Sequence, residues 1–202
     1  MKMKNKKYYA YFVPRTKEQG ITEDWEECRK IVSGETEAKF KSFPKLKDAE
    51  EWLSSGADYA FRKDLEPGIY FDAGTGRGDG TEISVTDEKG KDLLKEVLTK
   101  DKINKYGKHL LPQGTTNNYG ELLACKFALE LAVKKEVKRI FGDSKLVINY
   151  WSKAYVKEEE VNMETLDLID EVKLLRDKFE NQGGALIYIE GRDNPADLGF
   201  HK

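Results

Sequence analysis

The sequence predicts a mixed α/β domain behind a small α+β module, and three observations carry that prediction. After residue 68 the segments run strand, strand, strand, helix, strand, helices, strand, the order of an antiparallel hairpin region followed by helices that cross between parallel strands. Hydrophobic residues make up 39% of the 202, enough for one full domain and a small second one, which excludes disordered and collagen-like classes. A stretch without periodicity then divides the chain into a module over 1–54, a linker over 55–67 and a larger domain over 68–202.

In the first module, Lys7 to Val13 is aromatic and β-prone. Thr22 or Asp24 can cap a helix over Trp25–Val32, with Glu26 and Glu27 in its first turn. Ala38 to Phe43 alternates Lys or Ser with Phe, the period of a two-faced strand, and Pro44 ends it before a short helix over Lys47–Leu53.

In the second, Ile69-Tyr70-Phe71 is an apolar strand closed by Asp72 and followed by a glycine-rich turn over Gly74–Gly80. Thr81–Thr86 alternates as a second strand, and a third is expected near Leu93–Leu98, with a polar loop over 99–114. Thr116 or Asn117 can cap a long helix from about Tyr119 to Lys135, on which Leu122, Cys125, Leu129 and Ala132 share a face. Val137–Phe141 reads as a strand, then a helix runs to about Tyr155 and another carries Leu168, Val172, Leu175 and Phe179 until Gly183-Gly184 stops it. Ala185–Glu190 is the last strand, and Pro195 can open a closing helical turn.

Charge and cysteine content narrow the function classes. Lys+Arg (35) and Asp+Glu (37) nearly cancel to −2, so a nucleic-acid partner must be argued from local patterning. Cys28 and Cys125 are far apart and outside any ligand spacing, which points to reduced core thiols rather than a disulfide or zinc site. The basic Met1–Lys7 leads into a segment too short and too aromatic for a signal core, and no apolar run spans a bilayer. A cytoplasmic location without membrane contact is expected.

Four acids stand where structure alone gives little reason for an acid: Asp72 and Asp143 at strand ends, Glu121 in the first turn of the long helix, and Asp197 just after the last strand. If the two strands are neighbours, these carboxylates meet at the crevice where open α/β sheets bind ligands. Clustered carboxylates repel one another unless divalent cations lie between them. Oxygen-only donors point to Mg2+ or Mn2+, and two ions could clamp the attacking and leaving oxygens of a phosphodiester. Taken singly, each acid is more often a turn former or a dipole residue, and Asn117 or Asn118 could partner Glu121 in a capping box.

The wording around the acids resembles type 1 ribonuclease H. Tyr70-Phe71-Asp72-Ala73-Gly74, Thr115-Thr116-Asn117-Asn118-Tyr119-Gly120-Glu121-Leu122, Gly142-Asp143-Ser144 and Ala196-Asp197-Leu198-Gly199 follow the order of that family's acidic motifs. The first 54 residues resemble the hybrid-binding (viroplasmin-like) domain that precedes the nuclease in many members, through Tyr9-Ala10, Trp25-Glu26-Glu27-Cys28 and Ala38–Phe43. The resemblance implies a ribonuclease H-like five-stranded mixed sheet flanked by helices. It also implies cleavage of the RNA strand of RNA–DNA hybrids to 3′-hydroxyl and 5′-phosphate ends, with Mg2+ held as two ions by Asp72, Glu121, Asp143 and Asp197.

Several further roles are implied by the resemblance. Asp193, four residues before Asp197, takes the place of an acid in compact members; as a plain residue it belongs to the Gly191–Pro195 turn. Asn117 and Asn118 match positions that touch the hybrid, and Thr116 one that grips a DNA phosphate; helix capping is the alternative. Tyr9, Trp25 and Phe40 would meet DNA sugars and Lys41 a phosphate, although Trp25 and Phe40 also read as core. Gly78 and Lys145 stand where the family often has Asn and Gln, and Glu158-Glu159 fall where hydroxyl residues complete the phosphate pocket. Apart from the resemblance, Lys100, Lys102, Lys105, Lys108 and His109 form a local basic patch that is expected to lie near the hybrid groove, with a solvated loop as the alternative. The partner implied is an RNA–DNA hybrid, with the chain acting as a monomer. A non-catalytic hybrid-binding protein and another nuclease or transposase of the same fold are the rival readings.

Overall fold

The computed structural model describes residues 6–58, 65–75 and 80–197. The chain forms two compact units, Met1–Lys63 and Asp64–Lys202. In the first, β1 (Tyr8–Val13) is the centre of an antiparallel sheet ordered β2-β1-β3, with β2 at Glu18–Thr22 and β3 at Lys39–Phe43. Side-chain alternation gives β1 two faces. Ala10 packs with Phe43, Ala49, Trp52 and Ala57 under α2 (Leu46–Ser54), and α1 (Trp25–Val32) buries Cys28 and Val32. Asp24 settles the capping question, since its Oδ1 accepts the Glu26 N–H at 2.9 Å. β2 was not expected: Glu18-Gln19-Gly20-Ile21-Thr22 carries one large apolar residue, and only its pairing with β1 makes it a strand.

The second unit is built on a five-stranded mixed sheet ordered β6-β5-β4-β7-β8. These strands are β4 (Ile69–Gly74), β5 (Glu82–Asp87), β6 (His109–Leu110), β7 (Arg139–Gly142) and β8 (Ala185–Tyr188). β4 pairs antiparallel with β5 and parallel with β7, so the hairpin and crossover halves meet at β4. Three helices flank the sheet, α3 (Asn117–Lys135), α4 (Lys145–Asn149) and α5 (Met163–Asn181). The expected five-stranded mixed sheet flanked by helices is therefore present.

α3 is buried over most of its circumference, not on one stripe: Ala128 and Leu131 are as enclosed as Leu122, Cys125, Leu129 and Ala132, and Phe127 is nearly so. It packs on Ile69, Phe71 and Ala73 of β4, Ile83 and Val85 of β5, and Leu168, Ile169, Val172 and Phe179 of α5. A smaller cluster on the other face stacks Tyr70 on Phe141, centroids 4.6 Å apart, over Ala196. Both cysteines are free and buried, as expected.

Three expectations need correction. Leu93–Leu98 is not a strand; Leu94–Glu96 forms a 3-10 turn, because Leu93, Leu94, Val97 and Leu98 recur at one- and three-residue steps and all turn into the core. The third strand is His109–Leu110, inside the stretch expected to be loop. The last helical turn is Gly191–Asp193, ahead of Pro195; residues 198–202 lie outside those described.

Candidate functional site

Parallel pairing sets Phe71 against Gly142, so the next residues along, Asp72 inside β4 and Asp143 just beyond β7, come side by side. Asp72 does not close its strand, which continues to Gly74. α3 starts at Asn117, which puts Glu121 past the first turn. Two glycines permit the approach. A Cβ on Gly120 would lie 2.5 Å from Thr81 Cγ2 and 3.1 Å from Ala73 Cβ, and one on Gly142 would lie 2.2 Å from Phe71 Cζ. With both lacking side chains, one carboxylate oxygen each of Asp72, Glu121 and Asp143 fall within 4.8 Å of one another.

Asp72 and Glu121 are buried and Asp143 is half-buried. Burial first, then the charges of Asp72 and Asp143, push the Glu121 carboxyl up to about 9, against an opposing hydrogen bond from the Ala73 backbone. Its Oε2 is buried and accepts no hydrogen bond. A buried carboxylate oxygen without a hydrogen-bond partner, on one of three clustered acids with only oxygen donors, fits a hard divalent cation. Among the described residues, this is the group of acids with ligand spacing.

Asp197 is half-buried and outside that group. The segment leading to it is anchored by Asn194, which the sequence reading passed over. The Asn194 side chain is 2% exposed; its Nδ2 donates to the Phe71 carbonyl at 2.9 Å and its Oδ1 accepts the Ala196 N–H at 3.1 Å. It thereby ties the Asp197 segment to the strand one residue before Asp72. The available signal was Asp193-Asn194-Pro195, an Asn placed to bond its own turn. Asp193 itself closes the 3-10 turn, its N–H donating to the Glu190 carbonyl at 2.8 Å.

At the start of α3, Thr116 is the cap, its Oγ1 accepting the Tyr119 N–H at 3.2 Å. The exposed side chains of Asn117 and Asn118 are thus released from capping. Thr116 and Asn118 line a cavity of about 770 Å³ with Trp151, Glu160, Asn162 and Glu164. Glu158 and Glu159 sit on an exposed 3-10 turn, and it is Glu160, paired with Lys157 at 2.8 Å, that reaches the cavity wall. Lys145 lies 4.9 Å from the Tyr188 ring centroid. Gly78 lies outside the described residues.

In the first unit, Tyr9, Trp25 and Phe40 form a run of tilted rings, centroids 5.5 and 5.7 Å apart. Trp25 is 36% and Phe40 42% exposed, so the core alternative is excluded for both. With Lys41 and Ser42 they line a hollow of about 440 Å³. Strand alternation pairs Ser42 with Tyr9 across the sheet and sends the Lys41 side chain to the other face, its ammonium 5.5 Å from the Phe43 ring centroid.

Residues 7–53 match the family model of the Ribonuclease H1 N-terminal domain. The chain is also similar to two solved structures. One is ribonuclease H1 of the halophilic archaeon Halobacterium salinarum, at 16% identity over 66% of this chain and 92% of that one, TM-score 0.37. The other is an N-terminal ribonuclease H domain from Mycobacterium tuberculosis, solved as a fusion with maltose-binding protein, at 17% identity over 67% and 90%, TM-score 0.40. The first unit thus matches the Ribonuclease H1 N-terminal domain, and the second carries a five-stranded mixed sheet that gathers three acids.

Proposed function

We propose that the chain is an endoribonuclease that hydrolyses the RNA strand of RNA–DNA hybrids, leaving 3′-hydroxyl and 5′-phosphate ends. The observation that carries this reading is the buried group of Asp72, Glu121 and Asp143 with its orphaned Glu121 oxygen, beside a first unit that matches the Ribonuclease H1 N-terminal domain. Asp72, Glu121 and Asp143 would hold divalent cations, Mg2+ by their hard oxygen donors, with Asp197 joining from the segment anchored by Asn194. Bound there, two such ions would supply the charge that activates water and stabilises the leaving oxygen of a phosphodiester.

The chain's own residues do the rest. The Ala73 N–H holds the Glu121 carboxylate, whose Oε2 has no hydrogen-bond partner. Asn117 and Asn118, exposed and free of capping, offer amide donors and acceptors to a minor groove, where only the RNA strand presents 2′-hydroxyls. Thr116 stands on the cavity wall as the phosphate contact. The Tyr9, Trp25 and Phe40 rings offer apolar faces to sugars, and Lys41 and Ser42 line the same hollow. Asp193 keeps its turn role and stands as the acid nearest Asp197 in sequence.

One observation favours a second reading, a hybrid-binding protein without catalysis: Asp197 lies outside the three-acid group. Labelled hybrid, duplex DNA and duplex RNA incubated with magnesium and either the wild type or Asp143→Asn separate the two. Cleavage confined to RNA in the hybrid and absent in the variant is expected. Hybrid binding with no cleavage by the wild type would establish the second reading, and cutting of duplex DNA would overturn both.

A further inference from the structure

The connection between β5 and α3 is a built element. Asn104 is its hub: Oδ1 accepts the Tyr106 and Lys108 N–H groups at 3.0 Å each, and Nδ2 donates to Oε1 of Glu82, which is 4% exposed, at 2.7 Å. The Asn104 N–H closes the turn on the Lys108 carbonyl at 2.8 Å. Lys108 turns its ammonium inward to Ser84 Oγ at 2.5 Å, so of the five lysines between 95 and 108 this one is withdrawn from solvent.

The other four, Lys95, Lys100, Lys102 and Lys105, are exposed. Lys95, Lys100 and Lys105 line a hollow of about 480 Å³ together with Asp92, Leu98, Ile103 and Asn104, and none of the three lysines is in an ion pair with a described residue. Lys105 lies 4.9 Å from the ring centroid of Tyr106, which is 54% exposed. Nearby acids do not cancel this charge. Glu96 is taken by Lys135 at 2.7 Å, which leaves Asp92 and Asp101 against four outward cations.

The element is also tied to the candidate site. β6 pairs with β5 at Glu82 and Ile83, and Ser84 of β5 is the cross-strand partner of Asp72. Two strand spacings set this edge ~10 Å to the side of Asp72. The chain then runs through Leu111, bonded to the Thr81 carbonyl at 2.9 Å, and Thr115, whose carbonyl accepts the Thr81 hydroxyl at 2.8 Å, straight into Thr116 and Asn117.

We propose that Lys95, Lys100, Lys102 and Lys105 form a second nucleic-acid surface on this unit, one that holds backbone phosphates without reading sequence. Unpaired lysines on a hydrogen-bonded frame meet phosphates without first ordering the loop, and the adjacent tyrosine ring suits a sugar or an unpaired base. The inference rests on the hybrid as substrate.

The test is the triple variant Lys100→Gln, Lys102→Gln, Lys105→Gln in an Asp72→Asn background, titrated with hybrid by fluorescence anisotropy from ~50 to ~200 mM salt. The slope of log affinity against log salt should flatten by about 0.9 for each lysine that meets a phosphate, and affinity at ~0.1 M should fall about tenfold or more. An unchanged slope and affinity, with the parent binding hybrid normally, overturns the lysine surface and leaves the nuclease reading standing. A parent that does not bind hybrid overturns both. Polyglutamate bound more tightly than hybrid, and lost in the triple variant, overturns it in favour of an acidic protein partner.

Discussion

Glu121→Gln should stabilise the metal-free protein while abolishing its activity. The Glu121 carboxyl sits at about 9 in the fold against an ordinary 4.5, chiefly because it is buried. A carboxyl whose folded value is raised contributes stability that is fully present below 4.5 and is lost as pH rises toward 9, since only the folded chain then keeps the proton. At about 1.4 kcal/mol per pH unit, the loss at pH 7 is on the order of 3 kcal/mol. Glutamine keeps an oxygen for the Ala73 N–H, adds an N–H toward Asp72 and has no proton to lose, so it escapes this loss. Amide exchange of α3 and β4 peptides against urea, in EDTA, reads this unit's stability apart from the other. The variant should match the wild type near pH 4.5, exceed it by ~3 kcal/mol at pH 7 and gain further until about pH 9. Magnesium, which favours the ionised carboxyl, should close the gap in the wild type alone. A gap that does not change with pH, or a variant less stable than wild type at pH 8, would refute the assignment of burial and neighbouring charge as the cause.

Gly120→Ala places a methyl 2.5 Å from Thr81 Cγ2 and 3.1 Å from Ala73 Cβ; overpacking of this kind costs ~1–3 kcal/mol, and α3 must lift from β4, so Tm and hybrid cleavage should fall together. Asn194→Ala removes the side-chain hydrogen bond to the buried Phe71 carbonyl at a cost of ~1–3 kcal/mol, and a drop in kcat with KM unchanged would show that the bond positions Asp197. Trp25→Ala and Phe40→Ala should each weaken hybrid binding by ~1–3 kcal/mol in a filter-binding or anisotropy titration with little change in Tm, because both rings are exposed at 36% and 42%; a large Tm loss would return them to the core.

What could be read from the sequence was what periodicity and local wording encode. The helix over Trp25–Val32 was placed with both ends right, because Asp24 and two first-turn glutamates mark its start. The three acids met because the parallel pairing of β4 with β7 sets Asp72 beside Asp143 and the buried start of α3 brings Glu121 to them, although Asp72 lies inside its strand rather than at its end. What escaped was set by partners distant in the chain. β2 is a strand only through its pairing with β1, and Leu93–Leu98 alternates too poorly for a strand yet offers four apolar side chains that a 3-10 turn can bury. Asn104 and Asn194 were invisible as hubs because their partners, Glu82 and Phe71, lie 22 and 123 residues away.

The burial of α3 explains how a site of repelling acids can exist before any cation arrives. Leu122 and Leu129 are fully buried, and each contributes ~1.5–3 kcal/mol, so these two side chains alone match the ~3 kcal/mol that ionisable Glu121 removes at pH 7. The helix is therefore held down from its second turn onward, beginning at Leu122 beside Glu121. Gly120 lets α3 close on Thr81 and Ala73, and Gly142 leaves room for the Phe71 ring beside the paired strands, so packing rather than any attraction among the carboxylates brings Asp72, Glu121 and Asp143 within ligand reach. A divalent cation held by these acids should displace the Glu121 proton, so binding should be linked to proton release.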